Sequence, residues 1–203
     1  MKTLLVLRHA KSSWDEQNLS DHDRPLNARG KRDAPRVGKL LREQNLQPDA
    51  VLSSTAKRAR KTASKAMDAA GFGVDVQLIR ELYLADPTTI VGVLNRQPDS
   101  YACVLIVGHN PGLENLVQLL SGHDGGLPTA ALAQIELPIT HWCELSPATG
   151  ATLRNLWLPK EQEETLIKRI IAVIKGTCSP DLFHHIPAGF LSLISTEACL
   201  KSE

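Results

Sequence analysis

Two short apolar runs, each ending on a histidine, constrain this chain more than anything else in it. Leu4-Leu5-Val6-Leu7 stops at Arg8-His9-Ala10, and Val104-Leu105-Ile106-Val107-Gly108 stops at His109, followed by Asn110-Pro111-Gly112. Continuous apolar runs of this length mark strands buried on both faces, as in parallel sheets covered by helices. Open α/β sheets carry their working groups just past the carboxyl ends of such strands. Two strands should therefore deliver a histidine each to one edge of one sheet, with Arg8 alongside the first.

The 203 residues suit one α/β domain with an appendage. Residues 11–27 form a polar loop with Trp14, Asp21, His22, Asp23, Arg24 and Pro25. It is long for a mere connector, which favours a functional role. Ala34, Val37, Leu40 and Leu41 then share a helical face ending near Gln44. Pro35 is best accommodated in a first turn, so the regular helix should begin near Asp33. Residues 50–53 read as a strand, and Ser54 as the cap of a helix that runs to Ala70 and stops at Gly71. A weak strand at 74–77 follows, then a helix opened by Asp86-Pro87 and running to Leu94. After the strand at 101–107, Asn110-Pro111 starts a helix with Leu113, Leu116, Val117 and Leu120 on its apolar face and Gly122 as its stop. Residues 121–128 are a glycine-rich loop, and 131–137 and 151–158 read as two further strands. Beyond residue 160 the character changes: 163–175 suit an amphipathic helix and the rest has no periodicity, so the chain divides into a domain at 1–160 and an extension at 161–203.

Residues 1–65 hold 15 Lys and Arg against 7 Asp and Glu, an excess that suits an anionic ligand. Lys57, Arg58, Arg60 and Lys61 crowd the start of a helix, where the dipole disfavours each cation by about 0.3–1 kcal/mol. Arg58, one turn in, can reach the strand tips as a phosphate clamp. Cys103, Cys143, Cys178 and Cys199 show no paired spacing, and Cys103 reads as a buried reduced thiol. With five residues between Lys2 and Arg8 there is no signal-peptide core, and no run approaches the roughly 20 apolar residues of a membrane span. The expectation is a protein of the reducing cytoplasm that engages neither membrane nor nucleic acid.

A histidine nucleophile needs a neutral ring with one nitrogen free and the other held as N–H, and a rigid strand tip supplies that orientation. The charge of a phosphoryl group in flight spreads over its equatorial oxygens, for which arginine forks are the best donors. Arg8, Arg58 and His109 supply three such donors around His9, and Arg24 in the polar loop is a further candidate for substrate binding. A poor leaving group needs an acid, for which Glu81, Asp21 and Asp23 are the candidates. Glu81 has a plainer reading as an ion-pair partner of Arg80 or Arg58, and Trp14 reads equally as a substrate-facing aromatic or as loop packing. His22, His123, His141, His184 and His185 read as ordinary surface or core histidines. Metal-dependent hydrolysis is disfavoured because no H-E-x-x-H or His-x-Asp spacing occurs and arginines beside a cation would repel it. Ala28-Arg29-Gly30-Lys31-Arg32 lacks the leading glycine and the Ser/Thr of a phosphate-binding loop.

Leu7-Arg8-His9-Ala10-Lys11-Ser12, Ser53-Ser54-Thr55-Ala56-Lys57-Arg58-Ala59, Glu81-Leu82-Tyr83 and Val107-Gly108-His109-Asn110-Pro111 resemble, in order and spacing, the histidine phosphatase superfamily. The closest likeness is to the SixA-type phosphohistidine phosphatases. It extends to Ser20-Asp21-His22-Asp23-Arg24-Pro25-Leu26, to 127–131 and to Trp157-Leu158-Pro159, and so covers about residues 1–160. The resemblance implies a three-layer α/β/α sandwich with a mostly parallel, phosphoglycerate mutase-like sheet. It implies His9 as the phosphorylated nucleophile and Arg8, Arg58 and His109 as the phosphate pocket. Glu81 occupies the place of the family's usual acid, and Asp21 is a substitute in the SixA-like subgroup. Neither metal nor organic cofactor is implied. The superfamily's Arg-His-Gly is here Arg-His-Ala, so no positive φ is needed at Ala10. Short connections leave little chain for a lid, and an open pocket suits phosphohistidine on a signalling protein. The alternatives are a phosphatase of small phosphate monoesters and a non-catalytic module that binds phospho-ligands.

Overall fold

The computed structural model describes residues 1–15 and 18–159. Among them, β1 (Lys2–Arg8), β2 (Ala50–Ser54), β3 (Val76–Ile79), β4 (Cys103–Gly108), β5 (Leu132–Leu137) and β6 (Thr152–Trp157) form one sheet in the order β3-β2-β4-β1-β5-β6. The β3–β2, β2–β4 and β4–β1 pairs are parallel, and β5 and β6 add to the β1 side antiparallel. Mostly parallel is therefore the right description, with an antiparallel edge.

The apolar runs alternate between two cores because successive strand side chains face opposite ways. Leu5, Leu7, Val51, Leu105 and Val107 pack under α1 (Ala28–Glu43) and α2 (Lys57–Ala70). Leu4, Val6, Leu52, Val104 and Ile106 pack under α3 (Pro87–Leu94) and α4 (Gly112–Ser121). Both faces are thus covered, giving the three-layer sandwich. Each fully buried Leu, Val or Ile contributes about 1.5–3 kcal/mol relative to exposure, so the central strands are the best-anchored part of the chain. Tips attached to them hold their groups in fixed places.

Three helix readings hold closely and two need correction. Asp86 accepts a hydrogen bond from the Thr89 amide and Pro87 opens α3. Gly71 and Gly122 end α2 and α4 in the left-handed conformation. Helix α1, however, begins at Ala28 and not near Asp33. Asn27 caps it by accepting from the Gly30 amide at 2.9 Å, and Pro35 lies inside. The cap and the long packing face on α2 outweigh the single backbone bond a proline forfeits. Ser54 does not cap α2, whose N-cap is Ala56 with no side-chain bond. Its hydroxyl is used elsewhere, as described below. Strand β3 lies two residues later than expected and β4 starts at Cys103, after the Tyr101 expected to open it. The helix expected at 163–175, the rest of the extension at 161–203, His184, His185, Cys178 and Cys199 lie outside the described residues. Among those described, no helix is long and apolar enough to cross a membrane.

Candidate active site

Because β2, β4 and β1 are adjacent and parallel, their carboxyl ends share one edge of the sheet. Arg8 stands opposite Gly108, and the His9 amide donates to the Gly108 carbonyl at 3.1 Å. The residues that follow the two strands, His9 and His109, therefore come together, with ring centroids 5.0 Å apart. On the other side of β1, the Ala130 amide donates to the Arg8 and His9 carbonyls. Ala130 has φ of 64°, a conformation costing about 1–2 kcal/mol for a residue with a Cβ. The β1 tip is gripped from both sides.

His9 is buried, and its Nδ1–H donates to the Ala10 carbonyl at 2.8 Å. That bond leaves Nε2 as the bare nitrogen, and Arg58 Nε donates to it at 3.3 Å. Burial pushes the His9 pKa down to about 4. The Ala10 bond works against this, while the charges of Arg58, Arg8 and Arg24 add to it. The ring is neutral at physiological pH, with one lone pair facing a guanidinium.

Helix α2 starts just after β2, which puts Arg58 in its first turn beside the strand tips. Arg58 is almost wholly buried. Its Nη1 donates to the Asp21 carbonyl and its Nη2 to Asp21 Oδ2 at 2.9 Å. One turn on, the Thr62 hydroxyl donates to the Arg58 carbonyl at 2.7 Å and accepts from the Ala10 amide at 3.0 Å. Thr62 thereby ties the residue after His9 to the helix that carries Arg58.

Asp21 also accepts from Arg24 Nη1 at 2.9 Å and from the Tyr83 hydroxyl at 2.8 Å. Burial raises its pKa, but the bonds from Tyr83, Arg58 and Arg24 outweigh this and hold it at about 2. Arg24 is buried; it donates through Nε to the Ser13 carbonyl and through Nη2 to Ser12 Oγ, and stacks on Trp14 at 3.1 Å from the ring centroid. These bonds all run to the polar loop, so Arg24 and Trp14 together shape that loop around Asp21.

His109 is buried, with Nε2 2.8 Å from Ser54 Oγ and Nδ1 without a partner. Burial, then the nearby His9 and Arg58, pushes its pKa down to about 3. Arg8 Nη1 donates to the Leu127 carbonyl at 2.8 Å, and Arg8 Nε is buried and unpartnered. Two unsatisfied nitrogens, on Arg8 and His109, thus belong to the group that surrounds His9. Buried orphans of this kind are rare in folded proteins, and each calls for a physical explanation.

Of the candidate acids, Asp21 is bonded into the cluster. Glu81 is exposed and makes a two-oxygen pair with Arg96 at 2.9 and 3.0 Å, a partner not among those expected. Asp23 is exposed and bonded to Ser20. Thr62 is a site residue beyond those expected, and Ser54, expected as a cap, bonds His109 instead. Tyr83, given no role by its motif, lies edge-on to His109 at 5.5 Å and to His22 at 5.0 Å. His22, expected as an ordinary surface or core histidine, bonds Thr55 Oγ1 at 3.0 Å on the same side. Gly112 brings the Tyr83 segment close to α4, since a Cβ there would sit 1.8 Å from the Ala85 carbonyl oxygen. No signal in the sequence singles out Thr62. Among the described residues, no group of three or more His, Cys, Asp and Glu side chains is placed to hold a metal ion.

Sheet order and side-chain placement together define a three-layer α/β protein with two histidines and two arginines gathered at the tips of two adjacent parallel strands. The sequence profile of the histidine phosphatase superfamily (branch 1) matches residues 4–83. An uncharacterized protein of Mycobacterium tuberculosis strain H37Rv is 35% identical over 156 residues, 71% of this chain and 95% of that protein. A protein from Agrobacterium tumefaciens with a provisional phosphohistidine phosphatase SixA assignment is 30% identical, with a TM-score of 0.67 over 78% of this chain and 98% of that one. The protein histidine phosphatase SixA complexed with tungstate shares the fold at a TM-score of 0.67 and 23% identity, over 78% of this chain and 98% of that one. The chain belongs to the histidine phosphatase superfamily. That membership and the SixA-like fold support a phosphatase activity.

Proposed function

We propose that this protein removes phosphate from phosphohistidine on a signalling protein, in two steps that pass through a phosphorylated His9. One observation carries the reading: the His9 ring is neutral, tied at Nδ1 to the Ala10 carbonyl, and bare at Nε2. In the first step Nε2 attacks phosphorus, the bond from phosphorus to the substrate's imidazole nitrogen breaks, and that nitrogen leaves with the bonding pair and takes up a proton. In the second step water attacks phospho-His9, the Nε2–P bond breaks, and inorganic phosphate departs with a neutral His9 restored. Arg8, Arg58 and His109 hold the equatorial oxygens, where positioned donors act most strongly.

Asp21 is the acid that fits this pocket. At rest it is ionised and serves as the anion that holds Arg58. A phosphoryl dianion competes for the same guanidinium, and once Arg58 turns to it Asp21 loses a donor and gains proton affinity. Substrate arrival thereby readies the acid. An imidazole leaving group needs less help than an alkoxide, so the requirement for Asp21 should track leaving-group basicity. The absence of paired thiols among the described residues, where Cys103 and Cys143 are free, supports a reducing cytoplasmic setting.

The test is rapid-quench mass mapping with a phosphohistidine protein and with an aryl phosphate. Phosphorus on His9, and loss of several orders of magnitude of turnover in His9→Ala, are the expected results. Retained turnover of both substrates in His9→Ala would end the reading. A substrate panel at matched concentration addresses specificity. High kcat/KM on a small ester with negligible rate on phosphohistidine protein would assign the same pocket to small-molecule chemistry.

A further inference from the structure

We propose that Ser54 is a positioning residue that fixes the neutral His109 ring in the tautomer with its proton on Nδ1. The ring then offers the phosphoryl oxygens a donor in place of a lone pair. The role given to the donor rests on the phosphoryl-transfer reading above, whereas the tautomer does not.

One buried hydroxyl fixes where the protons lie. Ser54 ends β2 and is wholly buried. Among the described residues its Oγ bonds two polar neighbours, the Ala56 amide at 3.2 Å and His109 Nε2 at 2.8 Å. A backbone amide can only donate, so it uses a lone pair of Oγ. The hydroxyl proton then has His109 Nε2 as its acceptor, which leaves Nε2 without a hydrogen. A neutral imidazole carries one N–H, and here that must be on Nδ1.

The opposite assignment has two faults. Two donors would enter Oγ while a buried hydroxyl proton went without an acceptor, and such unmade bonds carry the full desolvation penalty. The nitrogen left bare would be Nδ1, which has no protein partner in a ring 5.0 Å from His9. A lone pair there would repel the oxygens of any phosphoryl group at His9, while an N–H attracts them.

The two histidines acquire opposite work from their second partners. A carbonyl at Ala10 forces a proton onto His9 Nδ1 and bares the other nitrogen for attack. A hydroxyl at Ser54 bares His109 Nε2 and forces the proton to the nitrogen that has no protein partner. The neighbouring Ser53 cannot substitute, because its hydroxyl donates to the Ser54 carbonyl at 3.0 Å.

The test uses the full chain, labelled with nitrogen-15, at neutral pH. Long-range proton–nitrogen correlation of the imidazoles, assigned with His109→Gln, reads which ring nitrogen carries the proton. A protonated Nδ1 and a bare Nε2 on His109 are expected, and the reverse overturns the proposal. Ser54→Ala should move the proton toward Nε2, weaken the binding of inorganic phosphate, and lower kcat/KM on an aryl phosphate on the order of hundredfold, the effect of losing one oxyanion donor. Ser54→Thr, which keeps the hydroxyl, should restore the tautomer and most of the activity. A Ser54→Ala protein that keeps the Nδ1–H ring would also overturn the proposal, whatever its rate. If alanine does not fold, the wild-type tautomer and the threonine variant decide. Should the protein prove not to be a phosphatase, the resting tautomer and the Ser54 dependence of phosphate binding still test the proposal separately.

Discussion

Protonating His9 means charging a ring removed from water that already stands beside Arg58, Arg8 and Arg24. The acid limb of kcat/KM should therefore fall near pH 4, well below the value near 6.5 of a free imidazole, as a pH-rate profile on an aryl phosphate will show. An inflection at 6–7 would mean that the ring is not held as described. The same burial gives a stability signature. His9 and His109 bind protons in the unfolded chain below about 6.5 but in the folded one only below about 4 and 3. Their stability contribution is intact above pH 6.5 and is lost as pH falls toward those values, at about 1.4 kcal/mol per pH unit for each ring. Asp21 behaves likewise at lower pH: its folded pKa is depressed, so the contribution of its ionised form is present above about 3.8 and lost as pH falls toward 2. Melting temperature should drop from pH 6.5 downward, and replacing His9 by asparagine should flatten that slope. The acids separate by substitution too. Asp21→Asn should cost on the order of a hundredfold or more on an alkyl phosphate and far less on phosphohistidine, whereas Glu81→Gln, which touches only an exposed pair with Arg96, should stay near wild type on both. A large alkyl-phosphate loss in Glu81→Gln alone would reverse the assignment.

Helix α2 has two jobs, and single substitutions should separate them. In its second turn Thr62 accepts from the Ala10 amide, so Thr62→Val leaves a buried N–H unpaired, at a cost of about 1–3 kcal/mol. It also loosens the residue whose carbonyl orients His9, so kcat should fall even where the protein stays folded. Further along, α1 and α2 touch backbone to backbone at Gly38, where a Cβ would lie 2.0 Å from the Ala66 carbonyl oxygen. Gly38→Ala should destabilise by about 1–3 kcal/mol or more with kcat of the folded fraction unchanged, because Ala66 lies two turns from Arg58. Denaturation curves and single-turnover rates on both variants check the contrast; equal effects on kcat would contradict it. The same helix shows what a sequence can reveal. Arg58 and the end at Gly71 were legible because the charge excess and the glycine speak locally. The start of α1 was not, since Asn27 and packing on α2 settle it against Pro35. Nor was Ser54, because choosing between cap and pocket requires knowing that His109 arrives from β4, fifty-five residues away. Strand tips were legible as a pair because both carry the same apolar run into a histidine. The carboxylate choice was not, as it depends on how the polar loop folds back over Arg58.

The whole molecule poses the question of where the working unit ends. Both faces of the sheet are already covered by helices drawn from the described residues, and the six-stranded order closes on β6 at Trp157. The M. tuberculosis relative aligns over 156 residues that span 95% of its own length, a size close to that of residues 1–160. The residues of the pocket all precede Leu127 except for the Ala130 grip on the β1 tip. We therefore propose 1–160 as the phosphatase domain and 161–203 as an addition to it. A chain ending after Lys160 should unfold cooperatively, as small single domains do, and keep kcat on an aryl phosphate within about twofold of the full chain. Its kcat/KM on a phosphohistidine protein is the more telling number, because a macromolecular substrate can contact surface that an aryl phosphate never reaches. Loss confined to the protein substrate would give the extension a part in recognition. Loss of cooperative unfolding would instead show that the extension completes the fold, and the proposed boundary would be wrong. Salt titration of both chains distinguishes charge-steered encounter from contact: weakening with ionic strength should be equal if the basic excess of residues 1–65 does the steering, since both chains carry it.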